Sequence, residues 1–158
     1  RFALETIAAI RKEIPESSPL IVRISSSEFV EGGWDIDDSV QLSKWMKDLG
    51  VDLVDASAGG NNPKQVLETS PGYQVPFAEA IRDKSGIMTG AVGLITEAQQ
   101  AEDILQDGQA DVVIIGRELM RNPYWALYAQ AQLDGKSENW PKQYRSSSYD
   151  LTYPGPKS

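Results

Sequence analysis

The chain of 158 residues contains neither cysteine nor histidine. Without cysteine there can be no disulfide, thiolate metal site or cysteine nucleophile. Without histidine there can be no His-based triad, and the commonest metal ligand is missing, so we expect no metal site. Basic residues are also scarce, since 15 Lys and Arg stand against 23 Asp and Glu and leave a formal charge of −8. So acidic a chain is poorly suited to a phosphate backbone, and we expect no nucleic-acid partner.

Long apolar runs are missing as well. No stretch approaches the roughly 18 apolar residues of a membrane span and no signal peptide is visible, so we expect a cytoplasmic protein without a membrane partner. The composition, 41% hydrophobic and 24% charged, is ordinary for one globular domain with a core. A helical pattern begins directly after Arg1, which leads us to expect a piece of a longer chain; a trimmed chain is the alternative.

Short β-branched runs alternate with helical patterns along the chain. Strands are predicted at 20–25, 51–57, 87–93 and 111–117, with helices before, between and after them, and Asp38 is expected to cap the second helix. This α/β alternation is typical of a parallel sheet. Two architectures fit: a small open sheet with helices on both faces, or half of a (β/α)8 barrel. A free half barrel would expose its strand edges and inner face, and should be unstable or aggregate without its other half.

Two glycine-containing segments fall at the ends of the last two predicted strands. They are Gly90-Ala91-Val92-Gly93 and Gly116-Arg117. In barrels, the loops after strands 7 and 8 often form a phosphate site. Glycine lets the backbone approach an anion closely, and an arginine adds a charged fork. Either segment alone also fits an ordinary tight turn, but the two together favour phosphate binding.

Two arginines have both a structural and a ligand-binding explanation. Arg23 lies in a run that otherwise predicts a buried strand, where a guanidinium is costly unless it is paired. Its partner is either Asp55, near the end of the neighbouring strand, or an anionic or electron-rich ligand at the strand mouth. Arg121 follows Arg117 by four residues, and either contacts a ligand or forms a salt bridge to Glu118.

Five motifs, in order, resemble the Old Yellow Enzyme flavoproteins, and most closely their thermophilic-like class of NADPH dehydrogenases. They are VRIS at 22–25, GVDLVD at 50–55, PGYQV at 71–75, TGAVGLIT at 89–96 and IGRELMRNP at 115–123. The resemblance runs from residue 2 to about residue 145 and matches only strands 5 to 8 of the family's TIM barrel. It implies a C-terminal half barrel over 1–134, followed by a C-terminal arm over 135–158.

The resemblance also implies an activity. Members of this family hold FMN, accept a hydride from NADPH and deliver it to the C=C bond of an α,β-unsaturated carbonyl compound. The family pattern places Arg23 against the N1/O2 edge of the flavin ring. A cation there would stabilise the negative charge that reduction builds up.

The remaining implied sites lie later in the chain. Gly93, Gly116 and Arg117 would hold the FMN phosphate. The same cofactor-binding set includes Gly90, Ala91 and Val92. In this class an arginine of the C-terminal arm reaches the neighbouring subunit. Arg145 is the candidate here, although the family has one more residue before it, and we expect a homo-oligomer.

The family's substrate-anchoring His pair, active-site Tyr residues and flavin-tuning Cys or Thr all belong to its first half. We therefore expect no catalytic residue in this chain and a required partner, the N-terminal half of the barrel, as a separate or cleaved chain. Two alternatives stay open. One is a non-catalytic half-barrel folding or assembly fragment that binds at most phosphate or FMN. The other is a flavin barrel acting on RNA, such as a dihydrouridine synthase, which the charge of −8 disfavours.

Overall fold

The computed structural model describes residues 1–136 and 139–147, the last three by their backbone alone. The strands are β1 (Ile21–Ser25), β2 (Leu53–Ser57), β3 (Met88–Ala91) and β4 (Val112–Val113). The helices are α1 (Phe2–Glu13), α2 (Ile36–Asp48), α3 (Val75–Ser85), α4 (Ala98–Gln106), α5 (Arg117–Arg121) and α6 (Trp125–Asp134), and a 3-10 helix covers Lys142–Ser147. The predicted alternation is confirmed. The strands are shorter than predicted.

The described strands form one parallel sheet in the order β1-β2-β3-β4. Its register places Arg23 opposite Asp55, Asp55 opposite Gly90, and Gly90 opposite Val112. Paired positions in adjacent strands direct their side chains to the same face. These four positions therefore form one row across the sheet.

The two faces of the sheet differ in what covers them. Helix α3 packs against β2 and β3, and the side chains on that face are fully buried at Val54, Ala56, Thr89 and Ala91. On the opposite face, Ile21 and Met88 are 57% and 52% exposed, and Val112 is 37% exposed. An apolar sheet face open to solvent is what the half-barrel expectation implies, because the inner face of a barrel is filled from all of its strands.

Helix α2 begins earlier than predicted. The side chain of Asp35 accepts hydrogen bonds from the backbone N–H groups of Asp37 and Asp38, at 2.9 and 3.1 Å. The Asp38 carboxylate accepts in turn from the Asp35 N–H, at 3.3 Å. Asp38 is therefore the third residue of a capping box and not the cap itself, so the prediction for it is wrong. The helix ends at Asp48, and Gly50 follows it as the expected C′ residue, with the positive φ of +83° that favours glycine.

The chain divides into two compact units. The first is Arg1–Leu94 with Ile104–Ile114 and includes the whole sheet; the second is Ile95–Asp103 with the described residues from Ile115 onward. In the second unit, Trp125 is buried and its Nε1–H donates to the Thr96 carbonyl at 2.8 Å. Tyr124 stacks on Trp140 there, with ring centroids 5.5 Å apart. Within the described ranges, no helix combines the length and apolar character needed to span a bilayer.

Candidate functional site

Arg23 lies on the open face of the sheet. Its side chain is 59% exposed, and its Nη1 is 3.5 Å from Oδ2 of Asp55. The expectation of a buried guanidinium is wrong, because Arg23 is directed to the face that α3 does not cover. The structural ion pair with Asp55 is present. The ion pair occupies one side of the guanidinium, and the exposed side can still contact a ligand.

Asp55 is the buried member of this pair. The residue is 7% exposed, and its Oδ1 has no hydrogen-bond partner among the described residues. Burial raises the pKa of the Asp55 carboxyl, and the nearby Arg23 charge opposes that rise. The carboxyl therefore holds its proton more tightly than an Asp in water does.

Gly90 leaves room for side chains of β4. A Cβ placed on Gly90 would overlap Cδ1 of Ile114 and lie 3.3 Å from Cγ2 of Val112. These apolar groups occupy the space over Gly90, the position opposite Asp55 in the row. Gly90 thus has a packing role, and its predicted contact with a cofactor stays a prediction.

The turn after β3 has an unusual backbone. Gly93 has φ of +109° and Leu94 has φ of +54°, both in the region that side chains rarely adopt. The Gly93 carbonyl accepts a hydrogen bond from the Gly72 N–H at 2.7 Å. Ala91 and Val92 are buried, and their predicted contact with a cofactor stays a prediction. The turn is thus tied to the long loop that precedes α3.

Gln74 packs against this turn. It is 5% exposed, and its Nε2 donates to the Ala58 carbonyl at 3.1 Å and to the Tyr73 hydroxyl at 2.7 Å. Its own backbone lies against Gly93. Gln74 therefore links the loops that follow β2 and β3. Sequence reasoning missed this role, and the only available signal was its place in the PGYQV motif.

In the second unit, Arg117 begins α5, and Gly116 is the residue before it. The predicted strand there is too long, since β4 ends at Val113. A Cβ added to Gly116 would meet no described atom within 4 Å. Arg117 is exposed and pairs with no described carboxylate, whereas Arg121 donates to Glu118 at 2.8 Å. Of the two explanations for Arg121, the salt bridge is confirmed.

The structure brings Arg23, Asp55 and Gly90 into one row of the sheet. The turn at Gly93 belongs to the same unit as this row. The side chain of Arg145 lies outside the described residues, so its contact with a neighbouring subunit stays a prediction.

A parallel α/β sheet with one open face, on which a mostly exposed arginine lies, places the chain in the α/β-barrel class of folds. The comparisons with known proteins agree with this class. The chain belongs to the NADH:flavin oxidoreductase / NADH oxidase family, whose model matches residues 1–136. The resemblance to the Old Yellow Enzyme family is therefore confirmed.

Two curated relatives are NADPH dehydrogenases. One, from Halalkalibacterium halodurans, is 52% identical over 80% of this chain and 37% of its own length. The other, from Bacillus licheniformis, is 49% identical over 91% of this chain and 41% of its own length. The chain thus spans about two fifths of the length of the curated relatives it matches.

A solved structure of a 2-naphthoyl-CoA reductase with 2-naphthoyl-CoA matches 85% of this chain and 21% of its own, with a TM-score of 0.72 and 21% identity. At 21% identity, the match is evidence for the fold alone. It confirms an α/β half barrel.

Proposed function

We propose that this chain forms the flavin-binding wall of an oxidoreductase that passes a hydride from NADPH, through FMN, to the C=C bond of an α,β-unsaturated carbonyl compound. The observation that carries the proposal is Arg23. Its guanidinium is mostly exposed on the open sheet face of a chain that matches NADPH dehydrogenases at 52% and 49% identity. When bound, FMN supplies the two-electron chemistry.

Arg23 would face the N1/O2 edge of the flavin and stabilise the negative charge that reduction places there. Such a cation is most effective when it is fixed before the reaction. Strand β1 fixes the Arg23 backbone, and the Asp55 carboxylate, 3.5 Å from Nη1, restrains the guanidinium from one side. The exposed side of the group is left for the ring.

Gly93, Gly116 and Arg117 would hold the FMN phosphate. Arg117 carries a charge that no described carboxylate neutralises, so it can form charge-assisted hydrogen bonds with an anion. The open space at Gly116 allows a phosphate to approach the backbone. The segment 90–92 would complete the cofactor-binding set. These features fit a bound phosphate.

The proposal requires the N-terminal half of the barrel as a partner. This chain has no histidine or cysteine and spans about two fifths of its relatives. The other half would supply the catalytic groups and most of the enone pocket. It would also cover the open face around Ile21, Met88 and Val112, whose burial would stabilise the assembly. We further propose that the assembled protein is a homo-oligomer.

An absorbance scan of the purified protein through the flavin bands, together with its intact mass, tests the proposal. We expect a flavin spectrum, a second polypeptide that completes the barrel, and NADPH oxidation in the presence of cyclohexenone. Arg117→Met should weaken FMN binding about tenfold or more, because it removes a charge-assisted hydrogen bond. Arg121→Met is the matched control on the same helix and should leave FMN affinity unchanged, since Arg121 is paired with Glu118. A protein that binds no flavin when both halves of the barrel are present would contradict the proposal.

A second candidate is the non-catalytic assembly module. The exposed Ile21, Met88 and Val112 favour it, because a second copy could cover the same apolar face. It predicts a colourless protein that self-associates. Sedimentation combined with absorbance distinguishes the two candidates.

A further inference from the structure

The carboxyl group of Asp55 has an unusual setting. It is 7% exposed, on a sheet face where Ile21 and Met88 are more than half exposed. Its Oδ2 is 3.5 Å from Nη1 of Arg23, and its Oδ1 has no hydrogen-bond partner among the described residues. A buried carboxylate with an unused oxygen is costly.

Few charged groups act on Asp55. In its row, the neighbouring Gly90 has no side chain, and Ile114 fills the space above it. Among the described residues, Arg23 is the one basic side chain within 4 Å of the Asp55 carboxylate. The negative charge of Asp55 therefore interacts mainly with the positive charge of Arg23.

The pair is loose. Its 3.5 Å separation exceeds the roughly 2.7–2.9 Å of a charge-assisted hydrogen bond, and the Arg23 side chain is 59% exposed. The guanidinium can therefore keep Asp55 as a neighbour while its exposed side binds another electron-rich group. In that arrangement the charge of Asp55 weakens the positive potential at the ligand.

We propose that Asp55 is the counter-ion that sets how much positive charge Arg23 presents to the flavin, and that it thereby tunes the flavin's reduction potential. The inference rests on the proposed function and assigns Asp55 as a positioning residue for Arg23. An ionised Asp55 disfavours the reduced, more negative flavin. A neutral residue of the same shape favours it.

The test is the reduction potential of the flavin-loaded protein and of three variants. Asp55→Asn keeps the shape and an acceptor for Arg23 but removes the charge. It should favour reduced over oxidised flavin about tenfold, a rise of about 30 mV for a two-electron couple. Arg23→Gln should shift the ratio of reduced to oxidised flavin by a similar factor in the opposite direction, which lowers the potential. Asp111→Asn is the matched control, since Asp111 forms another ion pair of the first unit, with Arg82 at 3.2 Å, and should shift the ratio less than about twofold.

The outcomes separate the inference from the function on which it rests. If the protein binds no flavin, both are overturned. If Arg23→Gln leaves the potential unchanged, the placement of Arg23 is wrong, and the inference is overturned with it. If Arg23→Gln lowers the potential while Asp55→Asn leaves it unchanged or lowers it, the inference alone is overturned. Asp55→Ser, which is also neutral but smaller, should shift the potential in the same direction as Asp55→Asn and guards against a folding defect in one variant.

Discussion

The Cα atom of Gly93 lies so close to Gln74 that an added side chain would have to displace Gln74. A Cβ at Gly93 would be 3.1 Å from both the backbone nitrogen and the Cβ of Gln74, and the φ of +109° adds strain for any other residue. Gly93→Ala should therefore destabilise the protein by about 1–3 kcal/mol. Urea unfolding at neutral pH measures this loss.

Gly116→Ala is the informative comparison. Gly116 has φ of −104°, and an added Cβ meets no described atom within 4 Å. This variant should keep its stability within about 0.5 kcal/mol. If FMN binds as proposed, it should still lose flavin affinity. Equal destabilisation by the two substitutions would contradict the difference in packing.

Stability should depend on pH through Asp55. An Asp in the unfolded chain titrates near about 3.9, and burial raises the pKa of Asp55 in the folded state despite the opposing charge of Arg23. Between the two values the folded state binds more protons, so the Asp55 contribution to stability falls as pH rises through this window. Asp55→Asn removes this contribution. Its stability advantage over the native protein should be largest near neutral pH and shrink as pH falls toward 4. Urea unfolding over this pH range measures the difference in stability between Asp55→Asn and the native protein. A difference that stays constant with pH would exclude the raised pKa of Asp55.

The stability of the protein should be sensitive to truncation of Met46, which is fully buried in α2. Met46→Ala removes apolar contacts and leaves a cavity, which should cost about 2–5 kcal/mol in the free energy of unfolding. Met88→Ala is the control of the same residue type in the same unit, because Met88 is 52% exposed, and it should cost less than about 1 kcal/mol. Chemical denaturation of both variants measures the contrast. Similar losses would mean that Met88 is covered in solution.

The capping box of α2 gives a local prediction. Asp35→Ala removes the acceptor for two backbone N–H groups and should cost about 1 kcal/mol. Asp38→Ala removes only the reciprocal bond to the Asp35 N–H, so it should cost less. Thermal unfolding ranks the two. A larger loss at Asp38 would restore the capping role first predicted for it.

The sequence predicts local features of this fold better than features that depend on distant residues. The alternation of strands and helices depends on neighbouring residues and was predicted correctly. The cap of α2 was misassigned because three aspartates, at 35, 37 and 38, compete for the role, and the path of the preceding chain decides among them. Local pattern alone does not choose between them.

The site was predicted in part for the same reason. The residues around Arg23 are apolar, which predicted burial, but its exposure depends on which face of the sheet the helices cover. Ile114, which is distant in sequence from Asp55, reaches over Gly90, the residue opposite Asp55 in the sheet. Gln74 joins two loops that are distant in sequence from each other. None of these relationships has a local sequence signature.

The strand order has a consequence for amide hydrogen exchange. Within the described sheet, β2 and β3 have a neighbour on each side, whereas β1 and β4 have one. The N–H groups of a strand point alternately to its two sides, so the outward amides of β1 have no strand to protect them. Deuterium should enter β1 quickly and Leu53–Ser57 slowly. The rest of the barrel should slow deuterium uptake by β1 when it is added. The residues that slow down would show where a strand of the other half pairs with the outer edge of β1.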